Sequence, residues 1–212
     1  MNFKLVFKLA GKTLLVAAAC MVLPLLVTLL YREDPMPFLS AMGITALAGL
    51  LLSLLRADTR FNSREGFFSA GLIWLLVGFF GALPFQFSGY FPSFVDCLFE
   101  SISGFTTTGA SILTAVEPLP KGILFWRSFI HWLGGMGILV LTIALLPSLG
   151  ARTLHVMKAE SPGPIISKLV PKSSQSSKIL YGIYLVLTVL VILALRAAGM
   201  DWFDSVTHAF AT

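Results

Sequence analysis

At 212 residues the chain is 57% apolar and only 12% charged, where a soluble domain of that length carries roughly a quarter charged residues, which excludes an ordinary water-soluble fold. Its apolar residues come in blocks, several of them near the roughly 20 residues a helix needs to cross about 30 Å of hydrocarbon. The net charge of +5 is concentrated in particular loops between those blocks, which argues against a nucleic-acid surface.

Lys4, Lys8 and Lys12 precede the first apolar run, Thr13 to Leu30. That run is longer than a signal-peptide core and no small-residue cleavage site ends it, so it reads as a retained span. Pro24 marks a kink within it. A second span is predicted over Phe38 to Leu55, a third over Phe67 to Phe85 and a fourth over Ile123 to Leu146, closed by Pro147 and Gly150. The fifth runs from Ile179 to Ala198. Cys20 and Cys97 have no metal-like spacing and read as small apolar residues.

The loops set an orientation. The basic ones hold Lys4, Lys8 and Lys12, then Arg56, Arg60 and Arg64, then Arg152, Lys158, Lys168, Lys172 and Lys178. The alternate ones hold Glu33, Asp34, Asp96, Glu100, Glu117 and Asp201, against Arg32 and Lys121. Basic loops stay cytoplasmic, which places the N-terminus inside and the end of the fifth span, near Gly199, outside.

Between Phe85 and Lys121 lies an apolar run too short to span. Leu98, Phe99, Ile102 and Phe105 have helical spacing, and Ser93 with Asp96 forms the S-x-x-D pair of a capped helix start. A short helix from about Ser93 to Ser103, ending at Gly104, is predicted. The small polar residues after it are tolerated at membrane depth only when buried in protein or lining water. The pattern is that of a re-entrant pore loop.

Phe94 to Ser103 lines up with Trp202 to Ala211: aromatic, apolar, Asp, small, apolar, any, polar, small, apolar, small. On this alignment Thr212 matches Gly104, so the chain is expected to be the N-terminal part of a longer protein with repeated pore-loop units.

A filter for a dehydrated cation needs closely spaced backbone carbonyls on small residues. Thr106-Thr107-Thr108-Gly109-Ala110 offers them, with Gly109 free to take a positive φ and the preceding helix directing its negative end at the cavity. The alternative is a plain external turn. Other residues carry two readings as well. Asp96 concentrates cations or caps a helix, the cap being favoured. Glu100 does the same or holds the loop by hydrogen bonds, the second being favoured. Arg127 snorkels or pairs with an acid of the pore-loop region. Gly134, Gly135 and Gly137 allow flexing or close packing, packing being favoured. His131 relays protons or makes a structural hydrogen bond, the latter favoured.

Asp96, Glu100-Ser101 and Thr106 to Ala110, then Leu119-Pro120-Lys121, Phe125-Trp126-Arg127 and His131-Trp132-Leu133-Gly134-Gly135-Met136-Gly137, together resemble the potassium-uptake translocation subunits of the Trk/Ktr superfamily, most closely the TrkH type. Tyr31-Arg32, Ala159 to Pro164 and Asp204, His208 and Phe210 share the likeness. The resemblance implies an all-α membrane protein of transmembrane helix–re-entrant pore loop–transmembrane helix repeats, preceded by two extra N-terminal spans. It divides the chain into residues 1–62 (the extra helices), 63–150 (the first repeat), 151–178 (a basic cytoplasmic loop) and 179–212 (the start of a second repeat). It implies potassium uptake across the bacterial inner membrane, with K+ held by main-chain carbonyls of Thr107 and Thr108, joined by Thr106 and Gly109. No cofactor and no enzyme activity are implied, the potassium ion being the transported ligand. The implied partners are membrane lipid, a second copy of the full-length chain and a cytosolic nucleotide-binding regulatory subunit of the Trk/Ktr type. The 151–178 loop that would face that subunit is net +4, five basic residues against Glu160. Two readings compete: an intramembrane serine protease using Ser101 or Ser103 with His131 or His208, and a non-conducting membrane scaffold.

Overall fold

The computed structural model describes residues 3–55, 63–137 and 173–212. Among them every regular element is a helix. Helices α1 (Phe3–Cys20) and α2 (Val22–Leu30) form one apolar span broken at Met21, because Pro24 has no N–H to give the preceding turn. The helix starts at Phe3 rather than Thr13, so Lys4, Lys8 and Lys12 lie within it. Their spacing of four puts them on one stripe, and lysine is a good helix former whose long stem reaches polar surroundings.

Tyr31 caps α2, Arg32 adopts φ +56°, and the amides of Arg32 and Glu33 bond back to the carbonyls of Leu29 and Thr28. This is a Schellman closure with arginine where glycine is usual. Helix α3 (Met36–Ser53) starts two residues ahead of the predicted span, with Pro37 in its first turn and the Met36 amide donating to Asp34 Oδ1.

Helix α4 (Ser63–Gly81) turns at Ala82 into α5 (Leu83–Ser88), where Pro84 again interrupts the ladder. Helix α6 (Phe94–Phe105) is short, and α7 is described over residues 121–137. The rest of the predicted fourth span, most of the basic 151–178 loop, and Arg56 and Arg60 lie outside the described residues. Helices α8 (Ser173–Ala197) and α9 (Trp202–Ala211) complete the order. By length and composition Phe3–Leu30, Met36–Ser53, Phe68–Ser88 and Ile179–Ala197 are each able to cross a membrane.

The described residues fall into two compact units, Met1–Gly134 with Phe210–Thr212, and Gly135–Ala209. In the first, α1 packs on α3 and α4, α3 on α5, and α4 on α6. A Cβ on Gly11 would lie 2.8 Å from Gly49 O and one on Gly49 would lie 2.9 Å from Gly11 O, so α1 and α3 cross at backbone contact. The core runs through Leu14, Met21, Phe38, Phe85, Trp126 and Ile130. The buried Trp126 indole donates to Gly81 O at 3.0 Å, tying α7 to the end of α4.

In the second unit α8 closes at Gly199 (φ +97°), whose amide bonds to Arg196 O while Met200 bonds to Leu195 O. The Arg196 guanidinium lies 5.4 Å from the Trp202 ring centroid and donates to Met200 O, fixing the turn into α9.

Candidate functional site: the Thr106–Gly109 loop and its supports

Helix α6 starts as its sequence dictates. Ser93 is extended, its Oγ accepts from the Asp96 amide at 3.3 Å and donates to Asp96 Oδ2 at 2.9 Å. A cap of this kind stabilises a helix by about 1 kcal/mol. The aligned segment behaves alike: α9 begins at Trp202 as α6 begins at Phe94. Asp201 occupies the position of Ser93, accepting from the Phe203 amide at 3.4 Å. The first helical bonds correspond too, Cys97 N–H to Ser93 O and Ser205 N–H to Asp201 O.

The end of α6 differs from the prediction. The helix passes Gly104 and continues to Phe105, with Thr106 as its cap. Thr107 takes φ +56°, its amide bonds to Gly104 O, and the Thr108 amide bonds to Ser103 O, both at 2.9 Å. The helix thus ends in a Schellman motif whose left-handed residue is threonine. Glycine is the usual stop signal, and Gly104 has another use. A Cβ there would strike the Ile130 side chain, so it is the seat of α7 against α6.

Gly109 has φ +73°, and no heavy atom lies within 4 Å of where its Cβ would be. Backbone conformation, not space, sets the demand for glycine there. The amides of Thr106, Thr107 and Thr108 all turn back to α6 carbonyls. Among the described residues no hydrogen bond ends on the carbonyls of Thr106 to Gly109, and these residues are exposed. The hydroxyls of Thr106 and Thr108 serve the frame: Thr106 Oγ1 donates to Ile102 O at 2.7 Å and meets Thr108 Oγ1 at 2.8 Å.

The far side of the loop hangs on Glu100, which is 1% exposed. Its Oε1 accepts from Ser111 Oγ at 2.5 Å and from the Ile112 amide at 2.8 Å, while Oε2 pairs with Arg127 Nε at 3.0 Å. Glu100 therefore holds the loop and Arg127 pairs with an acid of α6, the favoured reading for one and one of two for the other. Ser103 Oγ donates to Ala110 O at 2.6 Å, and His131 Nδ1 meets Arg127 O at 2.9 Å. His208 Nδ1 likewise meets Asp204 O at 2.8 Å. Ser103 and both histidines thus bond main-chain carbonyls. Gly134 brings α7 onto the end of α6, since a Cβ there would land on Phe105 O. In the second unit Gly135 faces the Tyr184 hydroxyl, which its Cβ would approach to 2.6 Å.

Sequence reasoning missed the role of Glu33, which it counted only as an outside charge. Its Oε1 accepts from the Lys121 amide at 2.6 Å and its Oε2 from the Gly122 amide at 2.9 Å. The partners are 88 and 89 residues away, so no local pattern signals the contact. The available hint was the stop at Pro120 ahead of an uncapped helix start.

Comparison with known proteins places these features in context. The family model described as "TrkH: Cation transport protein" matches residues 36–211. The Trk system potassium uptake protein TrkH of Halomonas elongata is 41% identical over 217 residues, covering 100% of this chain and 45% of that protein. The Escherichia coli K12 protein of the same name is 41% identical over 220 residues with the same coverage. The crystal structure of the potassium transporter TrkH from Vibrio parahaemolyticus superposes with a TM-score of 0.84 at 36% identity, over 99% of this chain and 42% of that one. The chain thus spans about 45% of the length of the curated relatives it matches.

Proposed function

The chain belongs to the TrkH family of cation transport proteins, and on that premise we propose that Thr106, Thr107, Thr108 and Gly109 form one wall of a potassium pathway, presenting main-chain carbonyls to the ion. The supporting observation is the division of the loop's backbone: amides committed to the end of α6, carbonyls of Thr106 to Gly109 left without partners. A dehydrated cation replaces its water shell with such oxygens, and the carbonyl end of α6 adds a negative partial charge beside it. Nothing in this process requires covalent chemistry.

In the whole transporter this segment supplies the first of several re-entrant loops around one pore, α1 to α3 being the extra hairpin before the first repeat. Uptake runs inward across the bacterial inner membrane, with the N-terminus and the 151–178 loop in the cytoplasm. That loop faces a nucleotide-binding regulatory subunit, and the full-length chain pairs with a second copy. The relatives named as Trk system potassium uptake proteins support the choice of ion.

The test is Gly109→Ser in a full-length transporter carrying this segment. A serine at φ +73° is disfavoured by roughly 1–2 kcal/mol, so the loop shifts and discrimination of K+ from Na+ in uptake falls. Unchanged discrimination in normally inserted protein overturns the assignment of this loop.

A further inference from the structure

Besides packing on α4 and α5, the extra hairpin reaches the start of α7 beside a loosely filled place. A cavity of about 510 Å³ lies there, lined among others by Thr28, Glu33, Phe38, Tyr90, Pro118 and Pro120. Glu33 bridges it. Its backbone is fixed by the Schellman closure of α2, with its own amide on Thr28 O at 2.9 Å. Its carboxylate accepts from the first two amides of α7, those of Lys121 and Gly122, at 2.6 and 2.9 Å. Charge-assisted bonds to a helix N-terminus are strong and directional. Beside them the α7 backbone touches the hairpin directly, since a Cβ on Gly122 would strike Thr28 Oγ1 and come within 3.3 Å of Phe38. About one and a half turns along the same helix, Arg127 grips Glu100, and Glu100 grips Ser111 and Ile112 beyond the loop.

We infer that Glu33 is a positioning residue for the ion pathway: by seating the start of α7 on the N-terminal hairpin, it sets the height of Arg127 and, through Glu100, the far limb of the Thr106–Gly109 loop. The inference rests on the reading of that loop as the pore wall. Rigid helix α7 carries the register over about 9 Å, six residues at 1.5 Å each. The hairpin is then part of the selectivity apparatus and not only a membrane anchor.

The test uses a full-length transporter carrying this segment, expressed in cells lacking other potassium uptake, with K+ and Na+ uptake measured per inserted protein. Glu33→Gln keeps size but offers one acceptor and turns an NH2 group on the second amide. The K+ over Na+ preference is expected to fall roughly threefold to tenfold, and the loss is expected to be much smaller in a Glu100→Gln background, since both act on one linkage. A purely structural cap would lower the amount of inserted protein and leave the preference intact. Should Glu33→Gln fail to insert, Lys121→Pro replaces it: proline suits the first helical position and removes one of the two amides. Unchanged preference in the inserted variant overturns the inference, as does full additivity with Glu100→Gln. Gly109→Ser run in parallel separates the two failures, because a loop that is not the pore wall leaves its preference unchanged too.

Discussion

Thr107 holds a backbone conformation that costs an L-residue with a Cβ about 1–2 kcal/mol, at a helix end where glycine would close the same motif without strain. Strain retained at a surface loop points to a role for that residue beyond folding. Thr107→Gly is therefore expected to raise thermal stability of the purified transporter by about 1 kcal/mol while impairing uptake, a split read from a melting curve beside a flux assay. An equal fall in both would show that the threonine is simply part of the fold. The buried pair is the opposite case. Arg127 is 20% exposed and Glu100 1%, so Arg127→Ala strands a carboxylate in the interior. The expected cost is about 3 kcal/mol, the low end for a broken buried pair, visible as a loss of inserted protein. Glu100→Gln, which still accepts from the Ile112 amide, costs less. If the two variants insert equally well, the pair is not holding the loop.

At the scale of elements, glycines separate contact from conformation. Gly134→Ala sets a methyl group against Phe105 O, and neither backbone has room to yield. A loss of about 1–3 kcal/mol is expected, as for other overpacked sites. Gly71, within α4, has nothing within 4 Å of its would-be Cβ, so Gly71→Ala is expected to gain up to about 1 kcal/mol from helix propensity alone. Melting temperatures of the two variants moving in the same direction would refute the contact reading. Ser93→Ala removes the cap of α6 and is expected to cost about 1 kcal/mol, with recovery in Ser93→Asp. These short helices are amphipathic, capped and bounded by turn residues, which is why α6 and α9 were both legible from one repeated ten-residue pattern.

For the whole molecule, the proposed pathway needs a ring of carbonyls from several loops, whereas this chain carries one Thr-rich loop and spans about 45% of its curated relatives. Expression of residues 1–212 alone in uptake-deficient cells is expected to give no growth at limiting potassium, and rescue would refute the need for further repeats. The apolar blocks, the start of α6, the start of α9 and the glycine at position 109 follow from the sequence by itself. Each is set by solvent or by neighbours within a turn, through hydropathy, a cap or a required φ. The start of α1 at Phe3 and the end of α6 beyond Gly104 were misjudged because lysine reads as loop and glycine as stop when packing is unseen. Which acid meets which cation, and that Glu33 binds the start of α7, were decided only by the tertiary structure. A carboxylate's partner 88 residues away leaves no periodic trace in the chain, and electrostatic and packing contacts at that separation exist only once the helices have been brought together.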